Sequence, residues 1–447
     1  MKRWSLIILT FFLFTNGAGA TLYHGHGVTL EGALKNETGV YLDDPGKFIK
    51  IMDVIDLKGQ YRPTDYLSFF AHIYKFWDHV YNVEDDYQSA RYWMYTNRKA
   101  WTGISWVREL YLDFFSDYLD VRLGKQIVTW GTADGIRILD QVNPLDYREF
   151  TLKDWNEIKI PLWMTKIEVV PTVNGSLQFL FIPDFEPNFS PPAGAPFAFK
   201  TTILAAKKYA QLGATVTENR PAETFSNAKF GVRWRDIING WEYTLNYLYG
   251  WNMNPETYAV SRTRFVKQYS RINLWGGSFS KTIVNGPFQG LTVRGEFAYF
   301  KNVPAAYRNA QGQTAYHKID KYQYVLGLDK YLISNWLFSF QFIQLINSQK
   351  DYQGYKFLLS SGGPADKVST YLTLKIATDF FHERLKPEIL FIYGDDNEWR
   401  ISPKLYFEIN DHLTTTAGMH IFVGKETELY GQFNDKNELF LEVRYSF

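Results

Sequence analysis

The chain has 447 residues, and its 48 lysines and arginines nearly balance its 47 aspartates and glutamates. This balance excludes a chain built to hold nucleic acid, which would need a clear excess of positive charge. The sequence contains no cysteine, so disulfides, thiolate metal sites, cysteine nucleophiles and covalent haem attachment are excluded, and we expect no cofactor. Aromatic residues make up 18% of the sequence, yet its mean hydropathy is only −0.27. A mean hydropathy this low excludes a bundle of transmembrane helices.

The first twenty residues have the organisation of a secretory signal peptide. Two basic residues precede a short apolar run, and the Ala-Gly-Ala at 18–20 matches a signal-peptidase cleavage site. The run is about half the length that spans a bilayer, although an uncleaved anchor or a buried helix is the alternative. The sequence therefore predicts a signal peptide over 1–20 and a single exported domain over 21–447.

Apolar and polar side chains alternate with a period of two along most of the chain. In the segment 398–410, one parity is apolar and the other is polar or charged; the apolar set is Trp399, Ile401, Pro403, Leu405, Phe407 and Ile409. The same alternation recurs at 291–299, 368–380 and 438–447. Because successive strand side chains point to opposite faces, these segments predict strands with one apolar face and one polar face.

Three features favour a membrane barrel over a soluble β-sandwich. The segments are about 10 to 13 residues long, which suits a tilted membrane strand. Aromatic residues gather at the segment ends, as an interfacial girdle requires; they include Trp241, Tyr299, Phe300, Trp336, Trp399, Tyr445 and Phe447. Short links also alternate with long ones.

The sequence thus predicts an all-β, transmembrane, antiparallel up-and-down barrel of about 18 strands, within a range of 16–18. An even count places both termini at the short-turn rim, which is periplasmic in the outer membrane of a Gram-negative bacterium. We place strands at 27–40, 48–61, 65–77, 103–116, 119–130, 160–170, 176–183, 227–236, 240–250, 267–281, 290–301, 317–330, 335–346, 366–380, 385–394, 398–410, 412–423 and 437–447.

A barrel of this size normally encloses water, and the polar parity supplies charges of both signs to its lumen. The expected lumen-facing residues are Arg294, Glu296, Lys375, Asp379, Arg400, Lys404, Glu408, Glu438, Glu442 and Arg444. These charged side chains either hydrate a channel wall or only form ion pairs with one another. The longest link, at 184–226, is rich in proline and phenylalanine, and it forms either an inward constriction, an outer lid or a passive surface loop.

The segment from Val121 to Phe150 concentrates the candidate functional residues. A strand leads through Trp130 and Gly131 into a loop whose charges can face a pore or a partner. The pore and loop candidates are Arg122, Lys125, Gln126, Trp130, Asp134, Arg137, Asp140, Asn143, Asp146 and Arg148. We expect the loop at 131–159 to shape the pore entrance.

This segment resembles the signature of a porin-like family of Gram-negative outer-membrane barrels of unassigned function. In that family a Gly-(Arg/Lys)-Gln-x3-Trp-Gly strand precedes an Asn-Pro-x-Asp loop. The matching residues are Gly124, Lys125, Gln126, Trp130, Gly131, Asn143, Pro144 and Asp146. The Arg-x-Gly-(Arg/Lys)-Gln portion is more loosely similar to alginate-export barrels. The resemblance implies an outer-membrane pore without a known ligand.

Lys125 conflicts with the simple alternation. If Arg122 and Gln126 point inward, Lys125 faces lipid, which costs about 2–4 kcal/mol at the membrane midplane. Either a bulge at Gly124 re-aims the side chain, or Lys125 lies near the rim.

No catalytic set or metal site is marked in the sequence, and we expect neither. His24 and His26 have a spacing that can bind a metal, but no carboxylate is evident nearby. His420 would face the lumen, but no serine nucleophile or orienting acid can be assigned to it from the sequence.

The favoured function is a porin-like channel that passes small solutes passively or with a substrate preference. The alternatives are a barrel that holds a secretion or electron-transfer protein and, less favoured, an outer-membrane hydrolase. The expected partners are outer-membrane lipids, an unidentified solute, the barrel assembly machinery and, as an option, further copies of the chain, but not nucleic acid. Tyr445 and Phe447 resemble the assembly signal that ends barrels of this kind.

Overall fold

The computed structural model describes residues 23–95, 106–308, 314–349, 351–352, 355–358 and 366–447. The expected signal peptide lies outside the described residues. Among the described residues, none of the helices has the length and apolarity that a membrane-spanning helix requires.

The described chain forms eighteen long antiparallel strands, each of which pairs with the strands before and after it. The strands are β1 (Val28–Tyr41), β2 (Phe48–Thr64), β3 (Leu67–Asp78), β4 (Val107–Phe114), β5 (Leu119–Gln126), β6 (Leu162–Val169), β7 (Ser176–Ile182), β8 (Lys229–Ile238), β9 (Trp241–Trp251), β10 (Arg271–Thr282), β11 (Thr292–Arg308), β12 (Thr314–Ile333), β13 (Trp336–Asn347), β14 (Val368–Ala377), β15 (Leu385–Gly394), β16 (Glu398–Glu408), β17 (Leu413–Val423) and β18 (Glu438–Ser446).

The sheet closes on itself where β18 pairs with β1. The register runs from Ala33 opposite Ser446 to Tyr41 opposite Glu438. Beyond the last strand residue, the backbones of Gly32 and Phe447 exchange two hydrogen bonds of 2.8 Å. Closure satisfies the backbone groups that would otherwise form two open edges. The predicted architecture is confirmed: the protein is a closed barrel of eighteen strands.

The two rims of the barrel differ in the length of their links. One rim carries the links at 65–66, 115–118, 170–175, 239–240, 283–291, 334–335, 378–384 and 409–412, together with both ends of the sheet. The other rim carries the links at 42–47, 79–106, 127–161, 183–228, 252–270, 309–313, 348–367, 395–397 and 424–437. We call these the short-turn rim and the long-loop rim; the links at 42–47 and 395–397 are short members of the long-loop rim.

Several predicted strand boundaries differ in the structure, and the ends of β5 and β11 are two of them. The strand expected to run through Trp130 ends at Gln126, because side chains rather than a neighbouring strand take the next amides. The amide of Val128 donates to Asn143 Oδ1 at 2.9 Å, and that of Trp130 donates to Asp140 Oδ1 at 3.1 Å. The strand predicted at 290–301 instead extends to Arg308, through a register irregularity after Phe300.

Aromatic side chains on the outer face form rows near each rim. Toward the long-loop rim, the rings of Tyr247, Trp275, Tyr299 and Tyr322 follow one another at centroid distances of 5.3, 5.6 and 5.0 Å. Toward the short-turn rim, Trp241 lies 6.0 Å from Phe279, and Trp336 lies 6.3 Å from Phe380. Two such rows are the arrangement that a membrane barrel places at its two interfaces.

We predict that replacing Phe447 with aspartate impairs barrel closure. Its ring lies within 6.0 Å of the Tyr445 ring and covers Gly32, so a charge there disturbs the seam between β1 and β18. We expect less processed protein in the outer membrane and a loss of the heat-dependent shift in electrophoretic mobility that a closed barrel shows. Phe381→Asp is the control, since Phe381 is exposed in the turn at 378–384. Normal level and mobility shift for Phe447→Asp would contradict this role.

Candidate functional site: a loop across the barrel lumen

The link at 127–161, which we call the inner loop, lies inside the barrel. Lys153 Nζ is 3.1 Å from Glu37 Oε2 on β1, and Gln341 Nε2 on β13 donates to Asp134 Oδ2 at 2.7 Å. Arg400 Nη1 on β16 donates to the carbonyl of Thr151 at 2.8 Å. These strands stand on different sides of the closed sheet, so one loop can reach all of them only by crossing the lumen.

The ends of the inner loop are tied together by Asn143, whose side chain is almost completely buried. Its Nδ2 donates to the carbonyls of Gln126 at 3.2 Å and Ile160 at 2.9 Å, while its Oδ1 accepts from Val128. The amide of Ile160 donates to the carbonyl of Pro144 at 2.8 Å. Asn143 thus replaces the missing strand partners where β5 ends and the chain returns toward β6.

Trp130 and Asp140 fix the next part of the loop. The Trp130 indole donates to Gln178 Oε1 at 2.8 Å, and Asp140 Oδ2 accepts from Lys159 Nζ at 2.5 Å. A Cβ at Gly131 would lie 3.0 Å from Glu296 Oε2 and 3.1 Å from the Asp140 backbone. The close approach between loop and wall therefore favours glycine at 131.

Two arginines of the inner loop bind other residues of the same loop. Arg137 donates to the carbonyls of Asp140 and Asn143, the latter at 2.8 Å. Arg148 Nη2 pairs with Asp146 Oδ2 at 2.6 Å, and its guanidinium lies 4.1 Å from the centre of the Phe76 ring. These contacts of Arg137 and Arg148 stabilise the conformation of the loop. That the loop shapes a pore entrance stays a prediction.

Asp134 docks the tip of the loop onto β11 and β13. Its Oδ2 is 2.6 Å from Arg294 Nη2, and Arg294 Nε also pairs with Asp329 Oδ2 at 2.7 Å. Glu296 on β11 accepts hydrogen bonds from the amides of Thr132 and, at 3.2 Å, Leu139. Because β11 begins at Thr292 on the short-turn rim, the loop descends deep into the lumen.

A buried ionic network docks the other side of the loop onto β1 and β2. Lys153 Nζ lies 3.0 Å from Glu149 and 3.1 Å from Glu37, and Lys50 Nζ lies 2.6 Å from Glu149 and 3.1 Å from Glu37. Lys35 joins through Glu37 at 2.6 Å and Glu442 at 3.4 Å. The network encloses opposite charges in a poorly solvated space, so removing one partner leaves an uncompensated charge.

The charge state of the two loop residues follows from this network. Burial by itself would lower the pKa of Lys153, but the Glu149 and Glu37 carboxylates hold it well above its ordinary value. Burial would raise the pKa of Glu149, but Lys153 and Lys50 bring it below its ordinary value. Both residues therefore carry their charge across the neutral range.

Aromatic packing closes the space between the loops near the long-loop rim. The ring of Phe150 lies 4.8 Å from that of Phe433, 5.9 Å from Tyr430, 6.1 Å from Phe199 and 6.3 Å from Phe422. Phe199 belongs to the link at 183–228, so this end of that link packs inward. Its helix Lys200–Gln211 has no buried residue, although the partly buried Ile203 packs against the same cluster.

A cavity of about 650 Å³ lies between the inner loop and the short-turn rim. Its lining contains eight carboxylates and five lysines. Glu37, Lys50, Glu149 and Lys153 form one part of the wall, while Lys404 and the pair of Lys375 and Glu388, 2.8 Å apart, form another. This volume and polarity suit a small, polar, hydrated solute.

The remaining residues selected from the sequence lie at scattered places. Arg122 pairs with Asp113 at 2.6 Å, Glu442 lines the cavity, and Arg444 lies 3.5 Å from Asp56. Asp379 lies in a turn rather than a strand, although it also lines the cavity. Glu408 is the last residue of β16, where its carbonyl accepts from Arg384.

Lys125 lies on the outer face, beside the long-loop rim. It is opposite the exposed residues Leu110 and Trp163, and its Nζ donates to the carbonyl of Val107 at 3.1 Å. The pairings of β5 show no bulge at Gly124, so the rim position rather than a re-aimed side chain removes the conflict. Gly124 has φ +136, and a Cβ there would overlap the Leu110 carbonyl oxygen.

The structure brings Ser402 and Glu438 to His420, an arrangement that the sequence does not reveal. His420 Nδ1 is 3.0 Å from Ser402 Oγ, and its Nε2 is 4.0 Å from Glu438 Oε1. Ser402 is only 2% exposed, does not line the cavity and accepts a hydrogen bond from Arg400 Nε. An enclosed serine of this kind has no route to a substrate carbonyl. Within the described residues, no cluster of three potential metal ligands occurs.

The sequence did not identify Glu37, Lys50, Glu149 and Lys153 as site residues. One local signal was available, because Glu149 and Lys153 are four residues apart and carry opposite charges. The partners on β1 and β2 are about one hundred residues away, so the network arises only from the path of the loop.

The comparisons with known proteins agree with the fold. A family model described as "protein of unknown function (DUF1302)" matches residues 49–447. OccK8 (OprE) of Pseudomonas aeruginosa is structurally similar, with a TM-score of 0.51 and 11% identity over 94% of this chain and 98% of that chain. OccAB4 of Acinetobacter baumannii has a TM-score of 0.52 and 11% identity, again over 94% and 98%. These likenesses show the fold, a porin-like barrel. No functionally curated protein matches the chain.

We predict that Gly124→Ala destabilises the barrel by about 1–3 kcal/mol, because an L-residue is strained at this φ and collides with β4. The measurement is the denaturant concentration at which half of the protein has lost the gel mobility of the folded barrel. Gly213→Ala is the matched control, since Gly213 also has positive φ, +56, but has no atom within 4 Å of the added Cβ. Equal losses of stability in the two variants would show that the contact with the Leu110 carbonyl does not contribute.

Proposed function

This chain belongs to the family described as protein of unknown function (DUF1302), and we propose that it is an outer-membrane channel that passes small polar solutes around a docked inner loop. The observation that carries the proposal is the inner loop itself, which crosses a closed barrel and leaves a charged cavity beside it. A loop fixed inside a wide barrel narrows the passage and presents its charges to the solute.

The size of the remaining space favours a channel over a sheath for another protein. Loops of the chain itself already occupy the lumen near the long-loop rim, where Phe150 and its aromatic neighbours pack. A cavity of about 650 Å³ accepts a small molecule but not a folded partner. The proposal places the short-turn rim and both ends of the sheet in the periplasm, because outer-membrane barrels carry short turns on that side.

The charges around the cavity favour hydrated polar solutes over hydrocarbons. Paired lysines and carboxylates order water and exchange hydrogen bonds with a passing solute, whereas an apolar solute would have to dehydrate them. Ser402, the serine beside His420, is not among the residues that line the cavity, and the proposal is transport rather than hydrolysis.

The decisive experiment is planar-bilayer recording of the purified full-length protein. We predict that Asp134→Ala combined with Lys153→Ala raises single-channel conductance by roughly twofold or more, because an ion-pair contact is lost on each side of the loop. Lys386→Ala is the control: it removes a charge from the same cavity, but its partner Glu383 is exposed in a turn. Unchanged conductance in the double variant would refute loop-limited passage, and absence of conductance in every variant would refute the channel.

The pH dependence of the same recording is a separate test. A carboxylate with a lowered pKa stabilises the docked loop above its ordinary pKa and loses that effect as the pH falls through the lowered value. Since the pKa of Glu149 is lowered and that of Lys153 is raised, the docked loop should keep its charges from about pH 5 to about pH 9. We expect these two charges to keep conductance constant over this interval, and conductance to increase only at a pH below the ordinary pKa of a glutamate. A transition within this interval that Glu149→Gln abolishes would contradict the assignment.

A further inference from the structure

Three side-chain donors lie at neighbouring lumen-facing positions of the cavity wall; we call them the donor patch. Lys404 and Tyr406 belong to β16, and Thr416 lies opposite Tyr406 on β17. All three line the cavity. The Lys404 ammonium and the two hydroxyls make no ion pair or hydrogen bond with another described residue. Because residues two apart on a strand share a face, the three donors converge on one part of the lumen.

Lys404 differs from the other lysines that line the cavity. Each of the other four lies within 3.3 Å of a carboxylate oxygen: Lys50, Lys153, Lys375 and Lys386. The carboxylate directly across the register from Lys404 is that of Glu388 on β15, but it pairs with Lys375 at 2.8 Å. The charge of Lys404 is therefore available to a solute.

An aromatic ring adjoins the donor patch. Gly418 on β17 lies opposite Lys404, and Phe440 on β18 lies opposite Gly418. A Cβ at Gly418 would lie 2.7 Å from the Phe440 ring, so this ring covers the glycine that separates it from Lys404. The His420 ring stacks on Phe440, with centroids 5.1 Å apart and planes 13° apart. Phe440 also lines the cavity, so a solute at the donor patch can contact its ring.

The acidic residues of the cavity leave the donor patch open to an anion. Among the described residues of β16, β17 and β18 that line the cavity, the carboxylate is that of Glu442, which lies 3.4 Å from Lys35. Asp154 and Asp379 form no ion pair with a described residue, but Asp154 belongs to the inner loop and Asp379 to the turn after β14. On these three strands an anion thus meets three donors and one paired acid.

Three donors beside an apolar ring complement a carboxylate that is joined to a flat apolar group. We propose that the donor patch and Phe440 bind a small aromatic carboxylate. Its oxygens accept hydrogen bonds from the Lys404 ammonium and from the Tyr406 and Thr416 hydroxyls, while its ring contacts Phe440. The inference names a class of solute for the proposed channel and rests on that function for the route of the solute, but binding itself requires no conduction.

The binding test is equilibrium dialysis of radiolabelled benzoate against the purified full-length protein in detergent at neutral pH. We expect saturable binding of one benzoate per chain. Lys404→Met should weaken binding by roughly tenfold or more, because a charge-assisted hydrogen bond is lost, whereas Lys404→Arg should stay within about threefold. Tyr406→Phe and Phe440→Leu should each weaken binding by about two- to fivefold.

Matched solutes and variants separate the site from a general effect. Benzamide and benzylammonium keep the ring without a negative charge, and both should bind the wild-type protein at least about tenfold more weakly than benzoate. Lys386→Met removes a paired lysine from the same cavity, and Phe340→Leu changes an exposed ring on the outer face. Both variants should bind benzoate within about twofold of the wild-type protein. The mobility shift on heating checks that each variant is folded.

The outcomes distinguish this proposal from the channel. Equal benzoate binding by the wild-type protein and Lys404→Met would overturn the site, as would binding of benzamide or benzylammonium as strong as that of benzoate. If Lys404→Met does not fold, the comparison of the three solutes on the wild-type protein decides. Saturable benzoate binding without conductance in bilayers would leave the site standing and refute the channel. Conductance without saturable benzoate binding would refute the site alone.

Discussion

Pairing of every strand with two neighbours is the constraint on which the rest of this structure depends. The seam between β1 and β18 removes the last open edges, and closure fixes which parity of each strand faces inward. Charges such as Glu37, Lys50 and Arg294 are thereby directed into the lumen, while apolar residues such as Leu405 and Leu441 stay on the outer face. A polar loop can enter such a lumen because the wall offers partners for its backbone and charges.

The inner loop is stabilised differently at its two sides. At β11 and β13 the loop carboxylate Asp134 meets one guanidinium and one amide, and Glu296 accepts two loop amides. At β1 and β2 several lysines and glutamates share a buried network. Aromatic packing around Phe150 joins the loop to the links at 183–228 and 424–437. Under the proposed function, passage through the barrel depends on how firmly this loop is held.

The sequence predicted the fold well because one face of each strand contacts lipid and the other faces the lumen. Apolar and polar residues therefore alternate along the strand. All eighteen predicted segments overlap strands of the described chain, with differences at their ends. The end of β5 was placed wrongly because Asn143 and Asp140, rather than a strand, accept the following amides. The docking partners of the inner loop were not predictable, since contacts such as that of Asp134 with Gln341 join residues 207 positions apart with no pattern between them.

The most direct test of a loop fixed across the lumen uses the absence of cysteine from the chain. Asp134→Cys and Gln341→Cys introduced together place two thiols where the two native side chains are 2.7 Å apart. A short thiol-specific crosslinker applied to intact outer membranes should join them efficiently in the folded form, and should not join Asp134→Cys to Phe381→Cys. Failure of the first pair to crosslink in a folded barrel would contradict the docked loop.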